Sequence, residues 1–174
     1  MKNKVGIFYG PTGGKAENVA QRVRKAIGED MADLIPIKNS KAADFDKYNN
    51  IILGCSTTGK ETWDAERTKP DWDLFRPEFD KINYEGKTFA LFGLGDHITY
   101  ASKFIDTVGF IGKILIRKGA KIVGQVPTSG YTFTDSEAVI NNEFIGLPID
   151  EDYEPELTDK RISEWTAKLK TLFS

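Results

Sequence analysis

The sequence is poor in the residues that build covalent and metal-based chemistry. Its single cysteine, Cys55, cannot close an internal disulfide, and its single histidine, His97, is joined by no cluster spaced for a metal. No nucleophile–base pair stands out, so no catalytic triad is expected. No apolar run approaches the roughly 20 residues of a membrane span, and no basic-apolar leader opens the chain. A net charge of −2 lacks the basic stripe that nucleic acid demands. These absences point to a cytoplasmic protein without nucleic-acid, membrane or metal partners. With 174 residues, 40% of them hydrophobic and 29% charged, the chain is most simply one domain, 1–174, around one core.

Two familiar phosphate loops are missing as well. A P-loop would need glycine where Tyr9 stands and a hydroxyl where Ala16 follows Lys15. The G-x-G-x-x-G dinucleotide pattern is absent, and no lone acidic residue ends a clear second strand to meet a ribose. A mononucleotide is the better candidate ligand.

What is present begins with the first turn. Lys4-Val5-Gly6-Ile7-Phe8-Tyr9 has strand length and stops at Gly10-Pro11-Thr12-Gly13-Gly14-Lys15. A helical pattern of Val19, Val23, Ala26 and Ile27 follows at once. Strand, glycine turn and helix N-terminus make an anion site, because free N–H groups converge with the positive end of the helix dipole. By itself the turn serves equally as a sharp chain reversal.

Further strands are expected at 34–37, 50–55, 87–93 and 121–125, the last interrupted by a turn-rich aromatic insertion at 126–148. Helices are expected at 41–48, from an Asp71 cap through Trp72, Phe75, Phe79 and Ile82, from the loop at Tyr100 to Lys118, and from Thr158 onward. The alternation implies an α/β fold: a doubly wound, five-stranded parallel sheet of order 2-1-3-4-5 with helices on both faces. A ligand would sit beyond the carboxyl ends of strands 1, 3 and 4, where the winding reverses.

Gly6-Ile7-Phe8-Tyr9-Gly10 with Glu17-Asn18-Val19-Ala20, Ile52-Leu53-Gly54-Cys55, Ala90-Leu91-Phe92-Gly93-Leu94-Gly95-Asp96 and Gly119-Ala120-Lys121-Ile122-Val123-Gly124 resemble the segments of flavodoxins, small FMN-carrying electron-transfer proteins. The stretch from Ser129 to Leu147 resembles the extra loop of long-chain members, and Leu157-Thr158-Asp159 with Arg161, Ile162 and Trp165 resembles their final helix. The resemblance implies FMN, one-electron transfer between a reductase and an acceptor protein, a monomer, and no enzymatic activity.

It also assigns residues. Thr12, Gly13, Gly14, Lys15 and Ala16 correspond to the phosphate loop, but Pro11, Gly13 and Ala16 replace hydroxyl residues, so anchoring rests on a row of backbone N–H groups from Thr12 to Ala16. Thr57, Thr58, Gly59, Glu61 and Trp63 belong to the loop after strand 3, with Trp63 either folding onto the flavin or shielding it less directly. The Thr58-Gly59 step matches a peptide that turns over on reduction in some flavodoxins, aiming a carbonyl at flavin N5 and bringing Glu61 to a flavin N–H. Gly93, Leu94, Gly95 and Asp96 border the ring, Tyr100 stacks on it, and Asp152 lies near the ribityl chain. Asp96 is either a fixed charge at the flavin edge or a loop cap. His97 is expected exposed beside it, Cys55 buried, Trp72 and Trp165 in the core, and Asp150 to Glu154 a solvated acidic loop. Two rivals remain open: an NAD(P)H-dependent quinone or nitro reductase, and a binding module that has lost tight FMN binding.

Overall fold

Three apolar runs set the architecture. Val5–Gly10 (β1), Asn50–Ser56 (β3) and Thr88–Leu94 (β4) are buried almost end to end in this computed structural model, which describes residues 4–56 and 70–173. Continuous burial on alternate side chains requires cover on both faces, the mark of a parallel sheet inside α/β layers. With Ala32–Pro36 (β2) and Lys121–Ile122 (β5), the strands pair in parallel in the order β2-β1-β3-β4-β5, as the alternation of elements implies. Ala32–Pro36 (β2) is the half-exposed edge, and its closing proline costs nothing there because the missing N–H faces no neighbour.

The far edge is split. Lys121–Ile122 (β5) pairs with the start of β4, Thr88 opposite Lys121 and Phe89 opposite Ile122. Leu147–Ile149 (β9) then pairs with its end, Phe92 opposite Leu147 and Leu94 opposite Ile149. Between them, Val126–Pro127 (β6), Val139–Ile140 (β7) and Glu143–Phe144 (β8) form a small antiparallel sheet of order β6-β8-β7.

One face of the main sheet is covered by Lys15–Ile27 (α1) and Thr158–Leu172 (α4), which bury Val19, Val23, Ile162, Trp165 and Leu169 against Ile7, Ile52 and Phe92. The other face carries Phe8, Leu53 and Leu91 under Phe45, Trp72, Phe75, Phe79 and Val108. Trp72 Nε1 donates to Gly54 O at 3.0 Å and Trp165 Nε1 to Gly124 O at 2.8 Å, so each indole buries its ring with its polar atom satisfied. Cys55 is buried, and that burial pushes its thiol up to about 12.

Beyond the strand limits, which shift from 34–37 to Ala32–Pro36 and from 121–125 to Lys121–Ile122, three helical segments differ from the sequence expectation. The segment 41–48 is a 3-10 turn, Ala42–Lys47. The helix after Pro70 runs only over Asp71–Phe75 (α2), with Asp71 its first residue rather than its cap, and continues as a 3-10 turn Arg76–Lys81 containing Pro77. Pro77 has no N–H to give a longer α-helical ladder.

The third difference concerns the helix expected from Tyr100. It starts only at Asp106, as Asp106–Arg117 (α3). The preceding residues form turns, and Ala101 O there accepts from Thr134 N at 2.8 Å and Asp135 N at 3.0 Å, partners from outside any helix. The insertion thus takes a carbonyl that a longer helix would need.

Gly109 marks where α3 and the insertion close on each other. A Cβ there would lie 2.3 Å from the Glu137 carbonyl carbon, a backbone atom that cannot swing aside. Gly109→Ala is expected to destabilise the protein by about 1–3 kcal/mol through overpacking, read as a lower urea midpoint. An unchanged midpoint would mean the insertion is not tightly seated on α3.

Candidate functional site

The loops after β1 and β4 and the turn after β9 gather at one end of the sheet. β1 passes through Gly10 into an exposed loop, Thr12 to Gly14, and α1 begins at Lys15. Gly13 has φ +80, a left-handed conformation that side chains disfavour, so glycine makes this turn cheaply. A Cβ at Gly13 or Gly14 would meet nothing within 4 Å, so the loop presents bare backbone to open space. No side chain caps α1, which leaves its first-turn N–H groups facing that space. Ala16, in contrast, turns its side chain into the core and contributes only main chain.

Glu17 organises this loop, a role not assigned to it from sequence. Its Oε1 accepts from Tyr9 OH at 2.7 Å and its Oε2 from Gly13 N at 3.3 Å. Burial first, and then the Glu17 carboxylate, push the Tyr9 hydroxyl up to about 12, so it stays a donor. One member of the expected N–H row is therefore engaged internally. The signal was legible as an acidic residue in a first helical turn, four positions after Gly13.

Lys15 reaches across the site to Asp152, and their ammonium and carboxylate pair directly. Two residues assigned to the site from opposite ends of the chain are thereby neighbours. Hydrogen bonding to Asp152 holds the Lys15 ammonium above its usual range. Both side chains are about half exposed, so the pair contributes position more than stability.

On the ring side, Gly93 and Leu94 end β4 in full burial, and Gly95 N donates to Ile149 O at 3.0 Å. The Asp96 carboxylate accepts from Ile98 N at 3.0 Å and Thr99 N at 2.7 Å, which makes it a loop cap. Tyr100 is half-buried at the end of the same loop. Thr57, Thr58, Gly59, Glu61 and Trp63 fall within 57–69 and lie outside the described residues.

His97 is not exposed. Its side chain is 5% accessible, because its backbone N donates to Asp150 Oδ2 at 3.1 Å and its ring Nδ1 meets the same oxygen. Asp150 is fully buried, and its Oδ1 accepts from Asp152 N and Tyr153 N, each at 2.9 Å. Burial is the strongest single influence and pushes the Asp150 carboxyl up. The donors from Tyr153, His97 and Asp152 together outweigh it and hold the group below its usual range.

The acidic run 150–154 is therefore structural rather than a free solvated loop. Glu151 takes Arg22 at 2.6 Å and the Thr158 hydroxyl at 2.7 Å, and Glu154 takes Arg161 at 2.8 Å. The pairing was invisible in sequence because the partners lie at distances such as 53 and 129 residues along the chain.

The flavodoxin family model matches residues 7–165. The chain belongs to the flavodoxin family. It is 39% identical to a flavodoxin from a Nostoc species over 173 residues, covering 99% of each chain. It is 40% identical to flavodoxin 1 of Escherichia coli over 165 residues, 94% of this chain and 91% of that one. The fold superposes on a Fusobacterium nucleatum flavodoxin bound to flavin mononucleotide with a TM-score of 0.87 at 27% identity, covering 98% of this chain and 99% of that one. Flavodoxins are electron carriers rather than enzymes, and this membership leaves the reductase reading unsupported. None of the helices among the described residues is long and apolar enough to cross a membrane.

Proposed function

We propose that this flavodoxin binds FMN across the ends of β1, β3 and β4 and carries single electrons between a reductase and an acceptor protein, as a cytoplasmic monomer of one domain, 1–174, with its long-chain insertion at 126–148. The observation that carries this reading is the open glycine backbone at the uncapped start of α1, beside the point where the winding of the sheet reverses. That cradle fits a phosphate group, because it offers donors and the positive end of a helix without a side chain in the way.

In this arrangement the N–H groups of Thr12, Gly14, Lys15 and Ala16 and the Thr12 hydroxyl hold the phosphate, with the Lys15 ammonium adding charge. Asp152 stands on the ribityl side. Gly95 and Asp96 border the ring and Tyr100 packs on one face, while Thr57, Thr58, Gly59, Glu61 and Trp63 are assigned to the flavin by the resemblance alone. FMN supplies the one-electron chemistry, and the chain excludes water, orients the ring and sets its potentials through fixed charge. With a net charge of only −2, recognition of redox partners rests on local contacts more than on long-range steering.

Spectroelectrochemical titration of the purified protein tests the reading: a yellow protein reduced in two separated one-electron steps is expected. A colourless protein, or one that oxidises NADPH with a quinone by itself, would overturn it. Anchoring that rests mainly on backbone donors has a further consequence. Thr12→Ala should weaken FMN by only about 0.5–1.5 kcal/mol, up to roughly tenfold in Kd. A loss of several orders of magnitude would place the anchor on the hydroxyl instead.

A further inference from the structure

His97 sits one residue beyond Asp96, in the loop after β4. Its backbone and ring both bond Asp150, which is itself fully buried. Its other ring nitrogen, Nε2, lies 3.6 Å from Glu154 Oε1. Glu154 is paired by Arg161 at 2.8 Å, and the Arg161 guanidinium lies 4.2 Å from the centre of the Tyr131 ring. Tyr131 OH in turn donates to Pro148 O at 2.8 Å, within β9, the strand that ends just before Asp150. The rings of Phe104 and Tyr153 pack edge-on to the imidazole at 5.9 and 6.5 Å.

The loop after β4 and the turn after β9 therefore meet on the His97 side chain, and α4 and the insertion connect to it through Glu154, Arg161 and Tyr131. Phe104 and Tyr153 could pack a benzyl ring equally well, but only a donor satisfies Asp150. Its Oδ2 takes both the backbone N–H and the ring of His97, so loss of the ring contact leaves a buried carboxylate undersupplied. The turn held from the other side by Asp150 carries Asp152, the partner of Lys15 at the phosphate loop.

We propose that His97 is a positioning residue for the cofactor: it locks the Asp96–Tyr100 loop to the Asp150–Glu154 turn, so that the ring side and the phosphate side of the site are held at one fixed separation. This rests on the FMN reading above. It acts through the loop, and His97 itself need not touch the flavin.

Two substitutions separate this role from packing. In His97→Asn the side-chain amide nitrogen occupies the place of Nδ1 and keeps the donor to Asp150. His97→Phe keeps the ring and removes the donor. The expected result is FMN affinity within about threefold of wild type for His97→Asn, and at least roughly tenfold weaker for His97→Phe, with a moved first reduction potential only in the latter. Equal affinity and potential for wild type and His97→Phe would overturn the proposal while leaving FMN binding intact; a wild type that binds no FMN would instead overturn the reading beneath it.

Should His97→Phe fail to fold, the wild type decides alone. The His97 ring proton facing Asp150 is expected as a slowly exchanging NMR resonance in the apoprotein that shifts on adding FMN. A resonance unmoved by FMN, or a freely exchanging one, would contradict the lock.

Discussion

Asp150→Ala is expected to destabilise the protein by about 3–5 kcal/mol, the range for removing one partner of a buried charged cluster. The carboxylate is fully buried and accepts the main-chain N–H groups of His97, Asp152 and Tyr153 together with the His97 ring. Alanine would strand these donors, and each buried donor left without a partner costs about 1–3 kcal/mol where water cannot replace the acceptor. A shift to a lower urea midpoint, with an unchanged slope, is the measurement.

The same group predicts an acid response. Its carboxyl is held below its usual range in the folded protein, because the donors outweigh the burial that pushes it up. A lowered folded value means that its contribution is present above the unfolded value of about 3.9 and is lost as pH falls through the folded value. Wild type should therefore lose stability more steeply than Asp150→Ala below about pH 4. Parallel acid-unfolding curves for the two would contradict this account of Asp150.

Lys15→Glu should weaken FMN by roughly ten- to hundredfold. Lys15 opens α1 at the uncapped end of the helix, where the dipole and the loop donors favour an anion. Reversing its charge replaces an attraction to the phosphate with a repulsion. At about 5 Å two unit charges interact by about 0.8 kcal/mol in water and about 3 kcal/mol at an effective dielectric of 20. The side chain is about half exposed, so solvent screening keeps the total near roughly 1.5–3 kcal/mol. The new carboxylate would also face Asp152 in place of its present cation. The loss should shrink at high salt. Flavin fluorescence titration at low and high ionic strength checks both statements, and an unaltered Kd would remove Lys15 from the phosphate side.

The sheet was legible because its signal is local. Runs such as Ile51-Ile52-Leu53 and Phe89-Ala90-Leu91-Phe92 are apolar on both faces, which only a covered parallel strand explains. Helical spacing places Trp72 and Trp165 in the core, and the structure buries both. Helix limits were less legible where tertiary partners intervene, as at Ala101, whose carbonyl is claimed by the insertion.

The site divides in the same way. The glycines before α1 announce a turn by composition alone, whereas Glu17, His97 and Asp150 acquire their roles from partners that folding brings to them. Asp150 read as one charge in an acidic run, since nothing adjacent reveals that Ile149 ends a buried strand and aims the next residue inward. His97 read as exposed because it follows Gly95 and Asp96 in a polar loop; its burial is decided 53 residues away.

In the proposed site, bare backbone before α1 anchors the phosphate of FMN. Titrating the apoprotein with FMN and, separately, with riboflavin tests it directly, because the two ligands share the ring and differ in the phosphate. One FMN is expected to bind per chain with its fluorescence quenched, and riboflavin at least about a hundredfold more weakly, the worth of two or more charge-assisted hydrogen bonds. Equal affinity for the two, or no quenching by either, would contradict it.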